Sequence, residues 1–397
     1  MKQILFILLV FCQLYRLSGQ EEEYLLTNMK IQIESTEAVD SLYNFNFEVA
    51  EKQFFWLKQQ YPEHPLSYFL LGLSEWWKMQ PNSRIEDYDD KFLAYMDTTI
   101  EKAGRIYDEN PENLEATFFL AGAHGFRARL ISDRGNYMRA TVDAKRALRY
   151  LNENKEGLED DFDPEFQFGH ALYNYYREWI PDNKKFLRPI VMFFPKGDKE
   201  KGLKQLAEVA KEAFYTRVEA STYLMTIYGS YENQQKDAFE IAEYLSQKFP
   251  NNAYFHRNYA KYAYLSGMYT PAEDASLSIL KRIEGNKTGY EAESGRIASY
   301  FLGNMNRRKQ DSLNAKKYFK KCIEYGDEVG AQEKGYYLLA MQYLAEYAHD
   351  EGDEGLAMSY YIKIREYGSR DHSAWQEARD YMRGNRKLRR QVRREMD

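Results

Sequence analysis

Six histidines, two cysteines and 61 carboxylates are the raw material for acid–base, nucleophilic or metal chemistry in this chain. Their spacing assembles none of it. His64, His124, His170, His256, His349 and His372 lie far apart, and no two share the i, i+4 spacing of a helical metal pair. No Gly-x-Ser-x-Gly elbow, P-loop or Gly-x-Gly-x-x-Gly loop is present. The densest acidic run is Glu156, Glu159, Asp160, Asp161, Asp163 and Glu165. It lacks the alternating oxygen donors, central glycine and closing glutamate of a calcium loop, so it reads as a solvated linker. The cluster Glu346, Asp350, Glu351, Asp353 and Glu354 around Gly352 reads the same way. The sequence therefore points away from an enzyme, and no metal or cofactor is expected.

What remains is chemistry suited to contact. Tyr is abundant at 35 and Phe adds 23, and such rings fill a core or present a polar edge at a surface. Trp76 and Trp77 point about 100° apart if helical, so one of them can reach a groove, although packing of both in the core is the favoured reading. Arg127, with Arg129 nearby, and Arg177 in the run Tyr-Tyr-Arg-Glu-Trp can hold a partner carboxylate. Tyr173 and Tyr176 flank that arginine, and Tyr223, Tyr228, Tyr259, Tyr262 and Tyr264 extend the theme. Phe193 and Phe194 form an apolar step between prolines, with Lys196, Lys199 and Lys201 beside it. Arg386 and Arg390 belong to a basic carboxy-terminal run. A protein or peptide is the expected partner, with a membrane surface as the alternative for the Phe193–Phe194 step and the basic end.

Charge separates these options from a third. The formal net charge is −6, yet residues 376–397 carry eight Lys/Arg against four Asp/Glu. Without that end and the two cations of the leader, the body stands near −12. An acidic body argues against a nucleic-acid surface. Residues 1–19 read as a signal peptide: Lys2, the apolar Ile4–Phe11, then Leu17-Ser18-Gly19. A periplasmic or secreted location follows as an expectation. Cleavage leaves Cys322 as the one cysteine, so stability must come from packing.

The elements that position these residues repeat. Leu302-Gly303 is followed by Ala315, Phe319 and Cys322; Leu344-Ala345 by Ala357, Tyr361 and Ile364. Ala238, Ala242, Leu245 and Pro250 supply another second half. Ala50, Phe54, Leu57 and Pro62 repeat it near the start, before Tyr68, Leu71 and Gly72. Phe118, Ala121 and Gly122 open another unit, with Ala144, Ala147 and Leu148 as its return. Small residues at these spacings let two antiparallel helices approach closely. The pattern resembles the tetratricopeptide-repeat family over most of residues 38–370. It departs where that family places a tryptophan: Tyr68, Phe118, Ser299 and Met341 stand there. The resemblance implies an all-α superhelix, a curved solenoid of about six to eight antiparallel helix pairs whose first helices line a concave binding face.

Residues 166–206 interrupt the pattern. Phe168-Gly169 and an aromatic helix lead to Pro181, Pro189 and Pro195, which are expected to break the chain into a crossover. Gly197, Asp198, Gly202 and Leu203 then start a helix, with Asp198 as its cap. This block is similar to a branch of the same family whose bacterial members are mostly exported proteins of the Bacteroidetes. The expected organisation is a signal peptide at 1–19, amino-terminal repeats at 20–165, the crossover region at 166–210, carboxy-terminal repeats at 211–370 and a basic cap or tail at 371–397. The expected function is a non-enzymatic scaffold or adaptor in the bacterial cell envelope; a peripheral or outer-membrane assembly component is the alternative. The oligomeric state is not legible.

Overall fold

The computed structural model describes residues 24–153, 163–192 and 194–396. The expected signal segment, Glu156 to Asp161 of the acidic run, and Phe193 lie outside the described residues. Within them, all regular structure is helical and the helices pack as consecutive pairs. The fold is all-α, built of consecutive antiparallel helical hairpins.

By compactness the chain divides into two units. The first comprises Met1–Asp40, Glu48–Gly72 and Phe92–Arg217; the second Ser41–Phe47, Leu73–Lys91 and Val218–Asp397. The helices begin with α1 (Met29–Tyr43), α2 (Phe47–Gln60), α3 (Leu66–Met79) and α4 (Asp89–Glu109). Next come α5 (Leu114–Asp133), α6 (Tyr137–Glu153) and α7 (Pro164–Asn183). A crossover contains a short 3-10 turn (Lys185–Leu187) and α8 (Arg188–Val191), and α9 (Lys199–Glu212) completes the pair with α7. The series continues with α10 (Arg217–Ser230), α11 (Gln235–Lys248), α12 (Ala253–Leu265), α13 (Tyr269–Glu284) and α14 (Ala292–Arg308). It ends with α15 (Ser312–Glu328), α16 (Gly335–Asp350), α17 (Glu354–Tyr367), α18 (Ser373–Gly384) and α19 (Arg386–Met396).

Two local devices make the hairpins. The first is the turn. Gly135, Gly267, Gln310 and Gly352 follow α5, α12, α14 and α16 with φ of +81°, +78°, +61° and +80°. In each case the next amide bonds back to a carbonyl five residues earlier, as Asp311 does to Asn306 and Asp353 to Ala348. This left-handed stop ends one helix and starts its partner at a fixed angle. The second device is the small contact residue. A Cβ added at Gly303 of α14 would lie 2.6 Å from ring atoms of Phe319 on α15. One added at Gly72 of α3 would meet the end of Met96 on α4. The spacing read from the sequence thus marks the surfaces where paired helices touch, and Ala315, Phe319, Cys322, Ala357, Tyr361 and Ile364 are all buried.

The crossover departs from the expected break at Pro181. Helix α7 runs on to Asn183, and Lys184 N closes its last turn on Ile180 O at 2.8 Å. A proline forfeits one backbone donor, and in a final turn that loss is small. Pro189 sits in the first turn of α8, where its missing N–H has no helical acceptor to lose. Asp198 caps α9 as expected, accepting from Lys201 N at 2.9 Å.

Candidate binding surfaces

The residues selected from sequence fall into three groups. In the second unit, Trp76 and Trp77 are both buried. Trp77 donates its indole N–H to Glu219 Oε1 at 2.6 Å. Tyr43, Tyr254 and Phe255 meet its ring edge-on at centroid distances between 5.1 and 5.9 Å. It is the hub of a core, with no ring face left for a partner.

In the first unit, Arg127 does hold carboxylates, but they belong to the chain. Its guanidinium pairs with Asp97 of α4 and, at 3.3 Å, with Asp143 of α6, which also meets His124 Nδ1 at 2.8 Å. Tyr173 and Arg177 of α7 hold the crossover. Tyr173 donates to Pro195 O, and Arg177 donates Nε and Nη2 to Phe194 O at 3.2 and 2.9 Å. Glu178 accepts from Gly197 N at 3.1 Å. Tyr176 lies half-buried between the rings of Tyr175 and Trp179. Phe194 is half-buried. The third group is the basic end: α19 docks Val392 and Leu388 on the last hairpin, beside Met382, and leaves Arg386 and Arg390 exposed.

Sequence reasoning missed three buried glutamates in the first turns of helices. Glu115 of α5 accepts from Leu25 N and Leu26 N at 3.3 and 2.5 Å. His64 turns its Nε2 toward the same carboxylate at 3.1 Å, while its Nδ1 accepts from Leu66 N and caps α3. Glu165, read above as linker, is fully enclosed. It accepts from Phe214 N, Tyr215 N, Thr216 N and Thr216 Oγ1 at 2.5–3.1 Å. Burial pushes its carboxyl up and those four donors pull it back. Glu219 is the third, under Trp77. Glu115 and Glu165 are structural clamps on loop backbone, while Glu219 accepts from the side chains of Trp77 and Tyr43. Cys322 is likewise structural: burial pushes its thiol up to about 12.

A surface with binding chemistry does emerge in the second unit, from first helices α12, α14 and α16. Tyr264 stacks on Phe301 at 4.6 Å, and Tyr300 on Tyr336 at 4.5 Å. Asn304 sits between two hydroxyls, its amide nitrogen 3.4 Å from both Tyr300 and Tyr343. Arg307 lies over the Tyr343 ring at 4.5 Å and Arg308 over Tyr269 at 4.6 Å. Tyr264, Asn304, Tyr336 and Tyr343 are half-buried, so each shows one edge while its body is held. Burial raises Tyr264 and takes Tyr336 up to about 12, so both stay protonated donors. Of the five tyrosines that extended the sequence theme, Tyr264 belongs here. Tyr262 is instead core, packed so tightly on Gly229 that a Cβ there would meet its ring at 2.0 Å.

Among the described residues, no group of three or more His, Cys, Asp or Glu is placed to hold a metal. No described helix is long and apolar enough to cross a membrane. No family model and no curated protein matches the chain. Among solved structures, the human IFIT1 dimer with PPP-AAAA is similar over 81% of this chain and 68% of that one, at 15% identity and a TM-score of 0.43. The human IFIT1 dimer with m7Gppp-AAAA covers the same shares at 15% identity and 0.40. Yeast Tom70 aligns over 92% of this chain and 96% of that one, at 12% identity and 0.25. The fold assignment rests on the hairpins themselves.

Proposed function

We propose that this chain is a non-enzymatic scaffold that binds a protein or peptide partner through the tyrosine face of α12, α14 and α16, and that it does so in the bacterial cell envelope. The observation that carries this reading is the set of half-buried rings and one amide on successive first helices, already ordered by stacking. Such rings supply contact area with little rotamer entropy left to lose, and Tyr and Arg are the side chains enriched where binding energy concentrates. Arg307, which also meets Glu346 at 3.0 Å, and Arg308 border the face and favour a partner segment with carboxylates. The envelope location rests on the leader-like residues 1–19. The buried, backbone-bonded state of Glu115, Glu165 and Cys322 supports the non-enzymatic reading.

The direct test is affinity isolation of tagged protein from native membranes and periplasm, comparing the unaltered chain with Tyr264→Ala combined with Tyr343→Ala. A stoichiometric partner retained by the first and lost from the second supports the proposal. Identical retention by both contradicts it.

A further inference from the structure

The first unit carries a second surface, independent of the tyrosine face. Met138 and Val142 stand one turn apart on α6, 76% and 51% exposed. Tyr137 at the start of that helix is 43% exposed and meets Phe186 of the crossover edge-on, ring centroids 5.3 Å apart. Phe186 is itself 60% exposed and Met192 is 69% exposed. Large apolar side chains scattered singly need no explanation, but here two elements bring theirs together.

The surrounding charge is mainly positive. Helix α6 and the crossover, residues 137–153 and 184–198, carry eight Lys/Arg and three acids, Asp143, Glu153 and Asp198, in a chain of net charge −6. Asp143 faces inward, enclosed by His124 and Arg127. On α6 the apolar pair Met138 and Val142 continues at helical spacing into the exposed Lys145 and Arg149, the latter paired with Glu153 at 3.2 Å. On the crossover, exposed Lys184, Lys185 and Arg188 bracket Phe186.

This mixture separates two kinds of occupant. The core of a protein interface sheds lysine and gathers large rings into a dry centre. Here lysines and arginines are interleaved with Met, Val and Phe, so the apolar groups cannot be sealed from water without burying cations. A bilayer accepts that pattern: apolar tips enter the acyl boundary while Lys and Arg stems extend to headgroup phosphates. Each cation held near an anionic leaflet contributes roughly fivefold to partitioning. We infer that α6 and the crossover form a peripheral docking surface for an anionic lipid bilayer. The tyrosine and arginine bonds from α7 to residues 194 and 195 hold the crossover in place for this contact.

The test is co-sedimentation of the full chain with two kinds of vesicle: phosphatidylcholine alone, and phosphatidylcholine with one-third phosphatidylglycerol. The chain is expected to bind the anionic vesicles, to leave the neutral ones in solution, and to be released as salt rises. Met138→Asp with Phe186→Asp, and separately Lys184→Glu with Lys185→Glu, each lower binding at least about tenfold. Leu313→Asp, at an exposed site in the second unit, leaves it unchanged. All replaced side chains are exposed, and coincident thermal melts confirm that the variants stay folded. Absence of binding to anionic vesicles, equal binding to neutral ones, or binding that survives both pairs of changes overturns the proposal.

Discussion

Among single residues, those whose surroundings oppose their intrinsic preference give the sharpest expectations. Gln310 is exposed and holds φ +61° at a turn where three other hairpins use glycine. Gln310→Gly is expected to stabilise the chain by about 1 kcal/mol, read as a raised denaturant midpoint. His256 is buried with its Nδ1 3.0 Å from the Tyr290 hydroxyl, which in turn takes a hydrogen bond from Arg282 at 2.9 Å. With Arg282 donating to it, the Tyr290 hydroxyl is free to donate to Nδ1 of a neutral imidazole. Burial, then the nearby Arg282, lowers its pKa from 6.5 to about 4. Because the unfolded histidine takes up its proton first, this contribution is complete above 6.5 and is lost as pH falls toward 4. A loss of about 2–3 kcal/mol across that window is expected by denaturant titration, with a flatter profile in His256→Asn. Glu165→Ala strands three loop amides and should cost about 3 kcal/mol, measured the same way. Such clamps are illegible in sequence: Glu165 reaches residues 214–216, and nothing local marks a carboxylate that will accept from a distant loop. Gly303 with Phe319 was legible because both lie within one hairpin and their spacing encodes the contact.

The crossover shows the same contrast between neighbouring elements. Asp198 was readable as a cap because capping is local. The two glycines around it matter for a non-local reason. A Cβ at Gly202 would lie 2.7 Å from Tyr175 N and 2.8 Å from Ala171 O, and one at Gly197 would lie 2.5 Å from Asn174 O. Here α9 and its approach pack against the backbone of α7, which cannot move aside as a side chain can. Gly202→Val is expected to destabilise by about 3 kcal/mol and to loosen the crossover, seen as faster amide exchange over 184–198. Retained stability with unchanged exchange would show that α7 and α9 separate at little cost. Pro181 misled because a proline's effect depends on its place in the helix, and this one falls in the last turn of α7. The arginines, and the tryptophans as groove candidates, show a related limit. Residue type indicates that Arg127 and Trp77 need partners; only packing tells whether the chain already supplies them.

At the scale of the whole molecule, the all-α repeat architecture was readable because each hairpin carries its own copy of the same short-range pattern. Binding surfaces were not, since they arise from residues on successive hairpins: Tyr264, Asn304 and Tyr343 share no local motif. The acidic body with its cationic α6, crossover and α19 leaves two regions of different character. The proposals above assign the ordered rings to a protein partner and the cations with exposed apolar side chains of α6 and the crossover to a lipid surface.

The scaffold claim is tested most directly by site-specific photocrosslinking in native cells, with a benzophenone side chain placed singly at Tyr264, Tyr343 or Leu313. The account predicts one stoichiometric partner crosslinked from Tyr264 and from Tyr343 and none from Leu313, an exposed second-helix site. No crosslinked protein from either tyrosine, or the same products from all three positions, would contradict it.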